Sequence, residues 1–223
     1  MSRVSSLFAL LLLLSVTAGV PGVGPVSGQE TPAAPPQVDR RIYDIVAAPS
    51  AERLEADVQA LVDFGTRNTF SDTLSETRGI GAARRWIKAE LDKISAECGG
   101  CLEVFYQRDL VPASRRVQED TWIVNVVAVQ RGTVHPDRYV IMSGDIDSRA
   151  SDNYNAEIDA PGANDNATGV AGALEAARVL TKYSFPTSIV YAALSGEEQG
   201  LFGGRIMAEA ALEEGWEIAA VLN

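Results

Sequence analysis

Three short acidic segments carry the residues best suited to chemistry: SGDIDS (143–148), PGANDN (161–166) and SGEEQGL (195–201). In the first, Asp145 and Asp147 stand two apart at the end of an apolar run, so in extended chain both side chains leave the same face. Two carboxylates so placed repel each other unless a cation or a proton lies between them. In the second, Pro161 and Gly162 make a turn, and Asp165 or Asn166 falls where the next helix needs its N-cap. In the third, Glu197 and Glu198 are adjacent, and neighbouring side chains point in different directions. One carboxylate can then bind a metal while the other holds a water beside it, the division of ligand and general base that metal-assisted hydrolysis uses. Each segment alone also reads as a charged turn, because Asp, Asn, Ser and Gly are turn formers.

Apolar periodicity outlines the elements that must position these segments. Residues 50–65 place Leu54, Val58, Leu61 and Val62 on one helical face, and 79–94 repeat the pattern with Ile80, Ala83, Trp86, Ile87, Leu91 and Ile94. Such stripes are core, and Trp86 is assigned no functional role. Strands are expected over 102–107, 121–130 and 138–144, then a helix over 167–183, a strand over 188–194, a helix around 201–213 and a last strand over 218–223. The order β, α, β, α, β from Tyr139 predicts an α/β fold, with a mixed, mostly parallel central sheet and helices on both faces. Ligands in open α/β sheets collect beyond the C-terminal ends of the strands, where all three acidic segments fall.

Composition bounds the partners. The 223 residues are 46 % hydrophobic and carry 19 basic against 30 acidic side chains, a net charge of −11. With no basic run, nucleic acid and anionic membrane surfaces are poor partners. Residues 1–28 read as an export signal, with Arg3 before an apolar core from Leu7 to Val16 that is too short for a comfortable membrane span. The expected location is therefore periplasmic or secreted, with no stable membrane span. Residues 29–41 read as a Pro/Ala-rich linker, and 42–223 as the functional domain. In an exported chain, Cys98 and Cys101 of CGGC are expected to pair as a small disulfide rather than remain thiols or bind metal. The single histidine, His135, lies in a His-Pro-Asp stretch read as a surface loop.

In this order and spacing the three segments resemble the exported zinc aminopeptidases of peptidase family M28, whose sequences carry GHxDS, PGAxDxxxG and GEExGL. The resemblance spans roughly residues 50 to 223. It implies that Asp165 bridges two zinc ions, that Glu198 binds one of them, and that Glu197 is the base that deprotonates water. It further implies that Asp147 stands behind the first-segment ligand, where it ordinarily orients a histidine. That histidine is Asp145 here, which puts the metal and its affinity at this position in question. The family pattern also expects an Asp about two dozen residues after the glutamate pair and a distant His. The chain is accordingly read as the N-terminal part of a catalytic domain. The resemblance implies peptide substrates with a free N-terminus. The alternatives are a non-catalytic ectodomain of the same fold that has lost its metal ligands, and a glutaminyl-cyclase-like enzyme with a single zinc.

Overall fold

A computed structural model describes residues 39–223. The export signal and most of the linker read from the sequence lie outside these described residues. Helix α1 (Arg40–Ala47) begins within the last residues assigned to the linker, where the Asp39 carboxylate accepts a hydrogen bond from Arg41 N at 3.0 Å and caps it. None of its residues is buried, unlike the apolar stripes of the later helices.

Helix α2 (Ala51–Val62) is capped by Ser50, whose Oγ accepts from Arg53 N at 3.2 Å. Helix α3 (Gly79–Glu97) buries the expected stripe of Ile80, Ala83, Ile87, Leu91 and Ile94. Trp86 packs on the same core, with its ring 6.4 Å from that of Phe64. After α3, Cys98 and Cys101 form the anticipated disulfide. Its four-residue loop turns the chain from helix to strand.

Five strands follow in the spatial order β1-β2-β4-β3-β5. Strand β1 (Leu102–Val111) runs antiparallel to β2 (Thr121–Gln130), and β2 runs antiparallel to β4 (Thr187–Leu194). Strand β3 (His135–Asp145) is parallel to β4 on one side and to β5 (Glu217–Leu222) on the other. The sheet is thus mixed, with parallel pairing confined to the part that carries the acidic segments. His135 is the first residue of β3 rather than part of a loop. It is exposed, as anticipated, and stands at the far end of the strand from Asp145.

Alternation along β2 and β4 separates two cores. Val126, Ala128, Ile189, Tyr191 and Ala193 face α2, α3 and α4 (Thr168–Leu180), while Val127, Val129, Val190, Ala192 and Leu194 pack with Met207 of α6 (Phe202–Glu213). Both faces of β2 and β4 are therefore covered, as the continuous apolar runs of these strands require, whereas β5 is exposed along its whole length. Charged groups join the helices on the first face. Arg53 of α2 pairs with buried Glu175 of α4, and Arg178 of α4 pairs with Asp57 of α2 and with Glu90 of α3 at 2.9 Å. Losing one partner of such a set leaves a buried charge uncompensated, so these pairs specify the docking of the helices more than they add net stability.

Among the described residues, no helix is long and apolar enough to cross a membrane.

Candidate functional site

Strands β3 and β4 are parallel, and Asp145 lies opposite Leu194 in their register. Both strands therefore deliver their following residues to one end of the sheet, β3 the first acidic segment and β4 the third. The connection from β3 to β4 brings the second segment to the same end through a short π-type turn (Ala163–Ala167) that leads into α4. Asn166, not Asp165, is the helix cap: its Oδ1 accepts from Gly169 N at 2.7 Å. Asp165 is left exposed.

Close approach of backbone to backbone fixes this corner. A Cβ built on Gly144 would lie 2.2 Å from the carbonyl carbon of Gly169 and 2.3 Å from Val170 N. Only glycine lets the start of α4 rest on the end of β3 one residue before Asp145. Gly144→Ala must push the helix away, and overpacking of this kind costs about 1–3 kcal/mol. Urea denaturation should show a lowered midpoint with unchanged slope; a midpoint equal to wild type would mean that α4 does not rest on Gly144.

Asp147 is 2 % exposed. Its Oδ1 accepts from Glu197 N at 3.2 Å, and its Oδ2 accepts from Glu198 N at 3.1 Å and from the Thr69 hydroxyl at 3.1 Å. The carboxylate thus caps α5 (Glu197–Gly200), the single turn that carries both glutamates. The resemblance implied an acid behind a histidine. Asp145 stands in that histidine's place and has no imidazole N–H to offer, and in this structure Asp147 positions the glutamate pair.

Electrostatics mark the acidic side chains as a group under strain. Asp145 is pushed up to about 6 by burial first, then by the charges of Asp147, Glu197 and Asp165, against a hydrogen bond from Asn223. Burial also raises Asp147, with the backbone N–H groups of Glu198 and Glu197 pulling the other way. Glu197 is raised by burial and by Asp147 and Asp165. Burial raises Glu198 as well, opposed by Arg149, whose Nε lies 2.5 Å from Glu198 Oε2. Carboxylates that raise one another are the condition a cation relieves. In charge and in donor chemistry the set fits a divalent cation. In number it falls short: among the described residues no three His, Cys, Asp or Glu side chains stand close enough together to hold a metal ion. Asp145 and Glu197 line one cavity of about 410 Å³ together with Leu194, Leu201, Ala208 and Asn223. Glu198 is turned to Arg149 on the other side.

The polar stretch 66–78 joins α2 to α3, and its residues Thr66, Arg67, Asn68 and Thr69 are all buried. Arg67 is 1 % exposed. Its Nε donates to Ile146 O at 2.8 Å, Nη1 to Leu61 O at 2.9 Å and Pro161 O at 2.6 Å, and Nη2 to Gly162 O at 2.9 Å. One guanidinium therefore ties the first acidic segment to the second. Burial lowers its pKa to about 10, with Asp147 countering. A second buried arginine, Arg84 of α3, reaches the Ser195 hydroxyl at 3.3 Å behind the third segment. A solitary arginine in a polar loop gives little sequence signal. The TRNTF loop falls within the family resemblance, but residue type alone assigned Arg67 no role.

Residues 125–223 match the family model described as Peptidase family M28. A probable zinc metalloprotease of Pyrenophora tritici-repentis is 42 % identical over 189 residues, 85 % of this chain and 39 % of that protein. A probable zinc metalloprotease of Pyricularia oryzae is 44 % identical over 171 residues, 77 % of this chain and 34 % of that one. The chain thus spans roughly two-fifths or less of the length of these curated relatives. Among solved structures, the LapA aminopeptidase of Legionella pneumophila shares the fold with a TM-score of 0.64 at 18 % identity, over 82 % of this chain and 44 % of that one. A glutaminyl cyclase of Porphyromonas gingivalis does so with a TM-score of 0.60 at 22 % identity, over 78 % and 58 %. With the three acidic segments gathered at one end of the sheet and the family model matched across all of them, the chain belongs to peptidase family M28.

Proposed function

We propose that the protein of which these residues form part is a zinc-dependent aminopeptidase, exported by its N-terminal signal and acting on peptides with a free N-terminus. The observation that carries this reading is the convergence of Asp145, Glu197 and Asp165, each raising or raised by another, at the C-terminal ends of parallel β3 and β4. Asp165 would bridge two zinc ions, Glu198 would hold one after leaving Arg149, and Asp145 would hold the other in place of the usual histidine. Further ligands would come from parts of the protein beyond these residues. Bound zinc supplies Lewis acidity to the scissile carbonyl and makes water a stronger acid.

The chain's own residues supply the rest. Asp147 holds the first turn of α5, so that Glu197 and Glu198 keep their separate directions. Glu197, half-buried and with its pKa raised, is placed to take a proton from water and return it to the leaving amine. The apolar wall of Leu194, Leu201 and Ala208 excludes solvent from one side. The carboxylates also attract a substrate ammonium, which favours cleavage at the N-terminal residue. Hydrolysis of a peptide series should therefore require the free amine: N-acetylation should abolish turnover, and equal turnover of blocked and free peptides would reject the aminopeptidase assignment.

A second reading rests on Asp145. A carboxylate in place of the histidine favours one ion over two, as in a glutaminyl-cyclase-like enzyme, which would release ammonia from an N-terminal Gln peptide without cutting it. A non-catalytic ectodomain of this fold would bind no zinc at all.

A further inference from the structure

The two adjacent glutamates line different cavities, Glu197 the first and Glu198 the second. The first, described above, is apolar on the Asp145 and Glu197 side. The second, about 380 Å³, lies between the β1–β2 loop and the loop after the first acidic segment, and Arg115, Arg116, Tyr154, Glu198 and Gln199 contribute to its lining. Resting on the aminopeptidase reading, we propose that this second cavity is a subsite for the residue following the scissile bond, and that it selects a carboxylate there.

The cavity's frame is built before any ligand arrives. Asn153 Nδ2 donates to Glu198 O at 3.2 Å, and Asn153 O accepts from Asn68 Nδ2 at 2.9 Å and from Gln199 Nε2 at 3.4 Å. The Tyr154 hydroxyl donates to Arg115 O at 2.6 Å, which ties the two loops together, and its ring stacks on Phe70 at 6.2 Å. Within this frame three groups lack partners. The guanidinium groups of Arg115 and Arg116 are exposed and make no ion pair among the described residues. Gln199 is 2 % exposed, and its Oε1 is buried without a hydrogen bond. A peptide residue bearing a carboxylate brings what all three lack: an anion for the arginines and a backbone N–H for the amide oxygen.

Charge also sets the direction of the substrate. Asp152 and Glu198 share the lining, but Arg115, Arg116 and Arg149, which pairs with Glu198, set three cations against these two carboxylates. The cavity is therefore net cationic. A substrate ammonium is repelled from it and drawn to the carboxylates beside the apolar cavity. The N-terminal residue then lies in the apolar cavity, and the leaving residue lies in the cationic one.

The test uses the full-length protein and two peptide pairs. Leu-Glu-amide against Leu-Gln-amide varies only the side-chain charge, and Leu-Gln against Leu-Gln-amide varies only the C-terminal carboxylate. The net attraction of three cations over two carboxylates should give about tenfold in kcat/KM, about 1.4 kcal/mol. The expected result is a preference of that size within at least one pair, reduced by salt. The pair that shows it identifies which carboxylate is bound. R115E/R116E should invert the preference, and R115Q/R116Q should bring the ratio near one; ratios within one protein are insensitive to the folded fraction. A wild-type ratio near one in both pairs, or a ratio unchanged by the double reversal, overturns the subsite. The same peptides titrated into the E197Q protein by calorimetry separate this inference from the one beneath it. Tighter binding of the carboxylate peptide without cleavage by wild type keeps the subsite and removes the peptidase reading, whereas equal binding removes the subsite whatever the activity.

Discussion

Replacing Glu197 by alanine in the full-length protein should lower kcat by about a thousandfold, the middle of the range for loss of a general acid or base, while zinc content stays at the wild-type value. Glu197 lines the apolar cavity with Asp145, whereas Glu198 points to Arg149 on the opposite side of the same helical turn. The base and the ligand are thus adjacent in sequence and apart in space, and removing one leaves the other's carboxylate in place. Steady-state kinetics beside elemental analysis reads both quantities. Retained turnover would remove the base assignment. Lost zinc would instead make Glu197 a ligand.

The second large effect concerns Arg67, which touches no substrate in this account. Arg67→Met removes four hydrogen bonds at once and leaves the carbonyls of Leu61, Ile146 and Pro161 without their guanidinium donor, while Gly162 O keeps Ala167 N at 3.1 Å. A buried polar group without a partner costs about 1–3 kcal/mol, so even the lower figure for each of the three carbonyls totals about 3 kcal/mol, a large part of the 5–15 kcal/mol that holds a typical domain together. Thermal denaturation of the full-length variant should show Tm lowered by about 10 °C, given roughly 2–4 °C per kcal/mol at this size. Arg67→Lys should recover only part of the loss, because an ammonium cannot span carbonyls on three sides of a planar fork. A methionine variant that melts with wild type would show that water replaces the guanidinium without penalty.

The contrast between these two residues shows what could be read from the sequence. Glu197, Glu198, Asp145, Asp147 and Asp165 were legible because acidic residues at strand ends are conspicuous, and their order and spacing resemble one family. Their burial and mutual charge effects follow from where the strands end. Arg67 was not legible, because a single cation in TRNTF gives no periodic signal and the carbonyls it serves are scattered from Leu61 to Gly162. The role of Asp147 was hidden for a related reason: its partners are backbone N–H groups fifty residues away, and side-chain chemistry cannot announce a backbone contact.

The same distinction holds for the fold. The helix over 79–97 and the strand over 121–130 emerged from their patterns because each buries a regular stripe or a continuous run. The direction of β2 did not. A strand buried on both faces reads alike whether its neighbours are parallel or antiparallel, and β2 turned out antiparallel to both. Helix α1 escaped notice because it buries nothing.

The central claim is that these carboxylates belong to a zinc peptidase that removes N-terminal residues, and mass spectrometry of one reaction tests it most directly. A peptide beginning with Gln-Leu is incubated with the full-length protein as isolated, after chelation, and after chelation followed by zinc. The account predicts free glutamine and a peptide shortened by one residue, lost on chelation and restored by zinc. Loss of ammonia with the peptide bond intact, or a peptide left unchanged by the zinc-loaded protein, would contradict it.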